Sequence, residues 1–197
     1  MNYEPSTMNQ IKIILASKSP RRQELLRQMD MDFRIVLKEV DESYPDGLSP
    51  AEIAVYIAEK KALAFDEEAD DEIVLTADTI VEINGLILGK PDDAAHAIEM
   101  LKLLSGNVHR VITGVCLMYK GHINKFHDVS EVFFRKLTDE EITTYVNKYQ
   151  PFDKAGSYGI QEWVGITGIE RINGSYTNVV GLPTEKLYQQ LLKMADL

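Results

Sequence analysis

Apolar residues fall along this chain in continuous runs and in helically spaced stripes, and the exchange of one for the other predicts strands alternating with helices. The first run, residues 11–16, reads as a short buried strand and is followed at once by Ser17-Lys18-Ser19-Pro20-Arg21-Arg22. Ser19 can cap a helix there, Pro20 suits the first helical position, and Leu25, Leu26 and Met29 supply an apolar stripe. A second strand at 33–37 runs into an acidic loop with Glu39, Asp41 and Glu42, closed by the turn formers Pro45-Asp46-Gly47. Ser49-Pro50-Ala51-Glu52 is a capping box, opening a helix to about residue 65 with Ile53, Ile57 and Leu63 among its apolar positions.

Residues 73–77 predict a buried strand that delivers Asp78-Thr79 at or near its end, and 80–83 with 86–88 predict a hairpin around Asn84-Gly85. A helix follows Pro91 over about 92–104, with Gly106 just past its end. Two longer strands, 108–119 and 123–135, read as an antiparallel pair across Gly121-His122. Thr138-Asp139-Glu140-Glu141 caps a helix to about residue 147. The stretch 149–161 is irregular and holds Pro151, Asp153, Lys154, Gly156 and Gly159, a composition suited to bringing backbone close to a ligand. Two final strands are expected to flank Asn173-Gly174, and a last helix to begin at Pro183. The chain shows no internal repeat, no low-complexity tract and no linker between independent domains.

With 197 residues, 45% of them apolar, there is material for one well-packed or bilobal α/β domain. A net charge of −10 would repel a polyanion, so no nucleic-acid polymer is expected as a partner; a small phosphorylated ligand stays compatible, because clustered cations can reverse the sign locally. Cys116 is the single cysteine, which excludes an internal disulfide and a thiolate zinc site. No apolar run approaches the roughly 20 residues of a spanning helix, and residues 1–10 are polar with an acidic Glu4, so a cytoplasmic protein with no membrane partner is expected. Asn173-Gly174-Ser175 is then a turn rather than a glycan acceptor.

Three groups of residues carry possible chemistry. At Ser17–Arg22 a helix start offers free N–H groups beside Ser17, Ser19, Arg21 and Arg22, which suits a phosphate as well as it suits a plain capped helix with arginines in water. Asp78 follows an apolar run, where an acid is costly unless something uses it, though it could simply cap the following turn; if Glu39, Asp41 and Glu42, in a loop leaving another strand, converge on it, two or three carboxylates could hold Mg²⁺ or Mn²⁺ with phosphate oxygens completing the shell. Lys61, Lys90 and Lys154 could neutralise phosphate charge. Other chemistries fail on spacing. Gly85-Leu86-Ile87-Leu88-Gly89-Lys90-Pro91 is one residue short of a Walker loop and has proline at the metal-binding position; there is no G-x-S-x-G, H-E-x-x-H or G-x-G-x-x-G, the four histidines are scattered, and Cys116 reads as core.

Six blocks, in this order, resemble the Maf nucleotide pyrophosphatases: Leu15-Ala16-Ser17-Lys18-Ser19-Pro20-Arg21-Arg22, Glu59-Lys60-Lys61-Ala62, Ala77-Asp78-Thr79, Gly89-Lys90-Pro91, Asp153-Lys154-Ala155-Gly156-Ser157-Tyr158-Gly159-Ile160-Gln161, and Ile172-Asn173-Gly174-Ser175-Tyr176 with Val179-Val180-Gly181-Leu182-Pro183. The resemblance leaves residues 1–12 as an N-terminal extension and 13–197 as a single Maf-like domain. It implies a Maf/ITPase-like α/β fold, a mixed twisted sheet flanked by helices with two lobes around a central cleft, in a homodimer. It also implies hydrolysis of nucleoside triphosphates between the α and β phosphates, giving monophosphate and pyrophosphate, with Mg²⁺ or Mn²⁺ as cofactor. By the same resemblance Asp78 is the proton acceptor and, with Glu42, a metal ligand, although Glu39 and Asp41 crowd the same loop. Ser17, Arg22, Lys61 and Lys90 fall at phosphate-contacting positions, and Asp153 and Lys154 in the site. Arg21, Thr79 and Gln161 form a trio like that of the dTTP/UTP branch, rather than the methylated-GTP branch. The alternatives are the same reaction on another modified nucleotide such as methylated GTP, or a non-catalytic nucleotide-binding regulator of cell division. Ser157 stands where the family has alanine or glycine, and is expected to leave the backbone path intact.

Overall fold

A computed structural model describes residues 12–195. The expected extension, 1–12, lies outside the described residues apart from Lys12. The fold is mixed α/β, with a seven-stranded sheet flanked by helices. Its strands are β1 (Ile13–Leu15), β2 (Phe33–Ile35), β3 (Ile73–Ile83), β4 (Leu86–Leu88), β5 (Val108–Tyr119), β6 (His122–Phe134) and β7 (Ile169–Asn173), in the order β2-β1-β3-β5-β6-β7 with β4 on β3. The helices are α1 (Pro20–Gln28), α2 (Pro50–Leu63), α3 (Ala94–Leu104), α4 (Asp139–Tyr149), α5 (Trp163–Gly168), α6 (Tyr176–Val180) and α7 (Thr184–Ala195). The chain divides into two compact units, the first formed by Met1–Asp78, Thr113–Asp128 and Gly181–Leu197, the second by Thr79–Ile112 and Val129–Val180.

In the first unit β1 pairs in parallel with both β2 and β3, so its three residues are buried on both faces and read as an unbroken apolar run. Helix α2 packs here through alanines. Ala54, Ala58 and Ala62 recur every fourth residue on one face and are fully buried, with Ile53 and Ile57 beside them. Leu63, expected in the apolar face, is instead 52% exposed. Small side chains let the helix approach the sheet closely: a Cβ on Gly114 of β5 would fall inside contact distance of the Ala54 and Val55 backbone, and Thr76 of β3 donates its hydroxyl to the Ala58 carbonyl at 2.6 Å. Cys116 sits in this core with Ile14, Phe65, Val74 and Met118, its thiol pushed up to about 12 chiefly by burial, which makes it inert.

The second unit contains the predicted hairpin, with β4 antiparallel to β3. Its turn residues Asn84 (φ 52°) and Gly85 (φ 81°) are both left-handed, as a two-residue turn of this kind requires. Both predicted capping boxes form, Ser49 with Glu52 on α2 in the first unit and Thr138 with Glu141 on α4 in the second.

Besides that of Leu63, three expectations are corrected. The β5–β6 turn is Lys120-Gly121, one residue earlier than expected, because Lys120 (φ 48°) and Gly121 (φ 75°) take the two left-handed positions. Asp78 is not at a strand end: β3 continues through it to Ile83, since nothing between Ala77 and Ile80 turns the chain and the apolar run resumes at once. The strand expected after Gly174 is helix α6, because Ser175 takes over the chain there as a capping residue does. Its hydroxyl accepts from Asn178 N at 3.3 Å and its carbonyl from Val179 N at 3.3 Å. Ser157 sits in a distinctive piece of backbone. It is left-handed (φ 62°) directly after left-handed Gly156 (φ 70°). A non-glycine residue therefore carries strain at that point.

Buried in the second unit, His109 stacks on Phe134 (5.5 Å between ring centroids) and has Nε2 2.8 Å from the Tyr158 hydroxyl, while its Nδ1 has no hydrogen-bond partner among the described residues. Burial lowers its pKa from 6.5 to about 4. The unfolded chain therefore takes up a proton between those values that the folded chain refuses, so stability is fully present above pH 6.5 and falls as the pH drops towards 4, by about 3 kcal/mol. Urea unfolding of the wild type and of His109→Gln between pH 7 and pH 4 should show that loss only where the imidazole is present; parallel stability curves would assign the acid sensitivity to other groups.

Candidate active site

In the first unit the segment between β1 and α1 is built as the sequence suggests. Ser19 caps α1 with its hydroxyl accepting from Arg22 N at 3.4 Å, and Pro20 opens the helix. Buried Ser17 turns its hydroxyl inward, accepting from Ser19 N (3.2 Å) and from Arg22 Nη1 (3.2 Å). Arg22 reaches much further. Its Nη1 also donates to the Ala77 carbonyl (2.8 Å), next to Asp78, and its Nε to the Gly181 carbonyl (2.8 Å), so one guanidinium ties the loop after β1, the middle of β3 and the segment before α7 together. Burial lowers the Arg22 pKa, while the charges of Asp78 and Glu42 raise it and that of Arg21 lowers it. An arginine remains a cation under all such influences.

Lys61, in the last turn of α2, closes the cluster. Its Nζ is 2.9 Å from Asp78 Oδ1 and 2.9 Å from Glu42 Oε1, so the acid of β3 and the acid of the loop are held by one ammonium. The neighbouring acid is turned elsewhere: Asp41 accepts from Lys60 Nζ (2.9 Å) and from the Ser43 backbone N–H (3.1 Å) and hydroxyl, and these hydrogen bonds hold its carboxyl well below the usual carboxylate range. Consecutive lysines thus sort consecutive acids: Lys60 takes Asp41, and Lys61 takes Glu42 together with Asp78. Two hard oxygen donors converging on a single positive charge fit Mg²⁺ or Mn²⁺, which keep much of their water and accept one or two carboxylates plus phosphate. Among the described residues no third His, Cys, Asp or Glu completes an all-protein metal cage.

The second unit holds Thr79, Lys90, Asp153, Lys154 and Gln161. Lys90 is exposed in the loop after β4, and the adjacent Gly89 carbonyl accepts from Gly156 N (3.1 Å), which joins the Gly89-Lys90-Pro91 loop to the glycine-rich one. A Cβ on Gly156 would press on Val81, so this close approach requires glycine. In the glycine-rich loop Lys154 is buried, with Nζ 2.6 Å from Asp153 Oδ1 and 3.0 Å from Glu162 Oε1. Thr79 is half-buried in β3 and Gln161 is exposed before α5. Glu162 and Tyr145, whose hydroxyl is hydrogen-bonded to Glu162 Oε2, were not singled out from the sequence. Glu162 could have been noticed as an acid next to Gln161; Tyr145 offered no signal beyond an apolar position on a helix.

The sequence model of the family described as "Maf-like protein" matches residues 12–194. A "dTTP/UTP pyrophosphatase" of Parabacteroides distasonis is 53% identical over 186 residues, 93% of this chain and 96% of that protein. Proteins with the same name from Flavobacterium psychrophilum (52% over 182 residues, 92% of this chain and 93% of that protein) and Bacteroides fragilis (49% over 191 residues, 96% and 99%) are similarly close. Among solved structures, the Ham1 protein of Staphylococcus aureus superposes with a TM-score of 0.43 at 16% identity, over 62% of this chain and 71% of that chain.

Proposed function

This chain belongs to the Maf family, and from that premise we propose that it is a nucleoside triphosphate pyrophosphatase that hydrolyses dTTP and UTP to the monophosphate and pyrophosphate. The observation that carries the reading is the convergence of Asp78 and Glu42 on the Lys61 ammonium, with the Arg22 guanidinium bonded to the carbonyl next to Asp78. A triphosphate brings up to about four negative charges, and its cleavage needs cations on the phosphoryl oxygens and a carboxylate to prepare water. Asp78 and Glu42 would hold Mg²⁺ or Mn²⁺, which when bound supplies charge to the phosphoryl oxygens and acidifies coordinated water. Asp78 is the proposed acceptor of the water's proton, directly or through a second water, since a carboxylate shared with a metal is a weak base.

Ser17, Arg22 and Lys61 in the first unit, and Lys90 and Lys154 with Asp153 in the second, are proposed for the phosphates. Arg21, Thr79 and Gln161 are proposed for the base, where a wrong base leaves donors and acceptors unpaired. The domain is proposed to run from residue 13 to the end of the chain and to work as a cytoplasmic homodimer, with no nucleic-acid polymer as partner. Among the described residues no helix is long and apolar enough to cross a membrane.

A nucleotide panel assayed for pyrophosphate with Mg²⁺ or Mn²⁺ tests the reading. dTTP and UTP should turn over fastest; preference for methylated GTP would move the chain to the other branch, and binding without turnover would support a regulator of cell division. Arg21→Ala or Gln161→Ala should change the dTTP to GTP ratio of kcat/KM about tenfold or more, and an unchanged ratio would remove that residue from base selection.

A further inference from the structure

Five residues of the second unit form a chain of polar contacts that includes one ammonium. Lys154 Nζ lies between Asp153 Oδ1 (2.6 Å) and Glu162 Oε1 (3.0 Å). The other oxygen of Glu162 accepts from the Tyr145 hydroxyl, and that hydroxyl in turn accepts from Gly159 N at 3.1 Å. Every link has a physical reason to be rigid. Tyr145 is buried in α4 and stacks on Tyr149 at 5.0 Å, and Glu162 occupies the space that a side chain on Gly159 would fill, since a Cβ there would come within 2.8 Å of Glu162 Cδ. The two carboxylates differ in exposure: the Asp153 side chain is 57% exposed and that of Glu162 25% exposed, and Glu162 also accepts from Tyr145. An ammonium has three donors. Asp153 and Glu162 both lie within ion-pair distance of Lys154 Nζ, so the ammonium is held between two carboxylates.

We propose that Tyr145 and Glu162 are positioning residues that hold the Lys154 ammonium ready for the triphosphate. The proposal rests on the pyrophosphatase reading and adds to it two residues and a division of labour. A lysine on a flexible four-carbon stem loses rotational freedom when it grips phosphate, and a protein that restrains it beforehand removes that cost from binding. Burial and the bond to Glu162 keep the Tyr145 phenol protonated, and hence a donor, across the working pH range.

The test is a double-mutant cycle on dTTP hydrolysis with Mg²⁺. Glu162→Gln should raise KM about tenfold with kcat reduced less than about threefold, the signature of lost substrate positioning rather than lost chemistry. Tyr145→Phe should move the same parameter in the same direction by less. In a Lys154→Ala background both substitutions should add nothing further, because their effect passes through the ammonium. A merely structural role would lower stability equally in both backgrounds and leave the effects additive. The proposal is overturned by an unchanged KM in Glu162→Gln, or by an effect of full size without Lys154. Should Tyr145→Phe fail to fold, the Glu162→Gln cycle decides by itself. A wild type that releases pyrophosphate from none of the nucleotides removes both readings, whereas an active wild type with an additive cycle removes this one alone.

Discussion

Asp78→Asn is expected to cut pyrophosphate release from dTTP at least ~100-fold while the protein stays folded. Asparagine has nearly the same size and can still accept a hydrogen bond from Lys61, so the shape of the site survives the change. It cannot take a proton from water, and its neutral carbonyl is a poor ligand for a hard divalent cation. Only part of an ion pair is lost, at a side chain 17% exposed to water that keeps a hydrogen-bonding partner. The expected stability loss is therefore about 1 kcal/mol. Pyrophosphate release and thermal unfolding, measured on the same preparation, separate the two effects. A rate within a few-fold of wild type would exclude Asp78 from the mechanism.

The largest effect on stability should come from Gly114→Ala. The new methyl group would overlap backbone atoms of Ala54 and Val55, and a helix backbone cannot rotate away as a side chain can. To admit it, α2 must lift from β5, opening the contacts of Ala54 and Ala58 and straining the hydrogen bond from Thr76 to the Ala58 carbonyl. Overpacking of this kind costs about 3 kcal/mol, a large share of the stability of most domains. The urea midpoint should fall accordingly, and activity should fall with it because α2 carries Lys61. A midpoint equal to wild type would show that the close approach of helix and strand does not contribute to the fold.

Much of this architecture is legible in local chemistry. Ser19-Pro20, Ser49-Pro50 with Glu52, and Thr138 with Glu141 place three helix starts, because caps act within a single turn. Asn84-Gly85 places a hairpin for the same reason. The errors arose where distant packing decides. Leu63 looks apolar but is exposed on a helix that buries Ala54, Ala58 and Ala62, and the close approach at Ala54 is made possible by Gly114 many residues later. Asp78 looks like an end to β3, but Lys61 meets its charge and the strand continues. After Gly174, β-branched and aromatic residues suggest a strand, while the Ser175 cap starts α6. In the site, residue types were readable and geometry was not. No spacing indicates that Lys60 takes Asp41 and leaves Lys61 for Glu42, or that Arg22, which resembles a phosphate ligand, also braces Ala77 and Gly181. Tyr145 was missed because a buried tyrosine on a helix is usually core, and only its hydrogen bonds set it apart.

The polypeptide passes from one unit to the other after Asp78, Ile112, Asp128 and Val180, and three of those passages fall inside unbroken strands. Neither half is therefore a contiguous stretch of gene. A single recombination breakpoint between two relatives could not transplant the unit bearing Asp78 and Glu42 while keeping intact the one bearing Lys154 and Gln161. Every chimera would splice a strand or orphan a segment, so new nucleotide preferences in such a lineage should accumulate through point substitution rather than by exchange of parts.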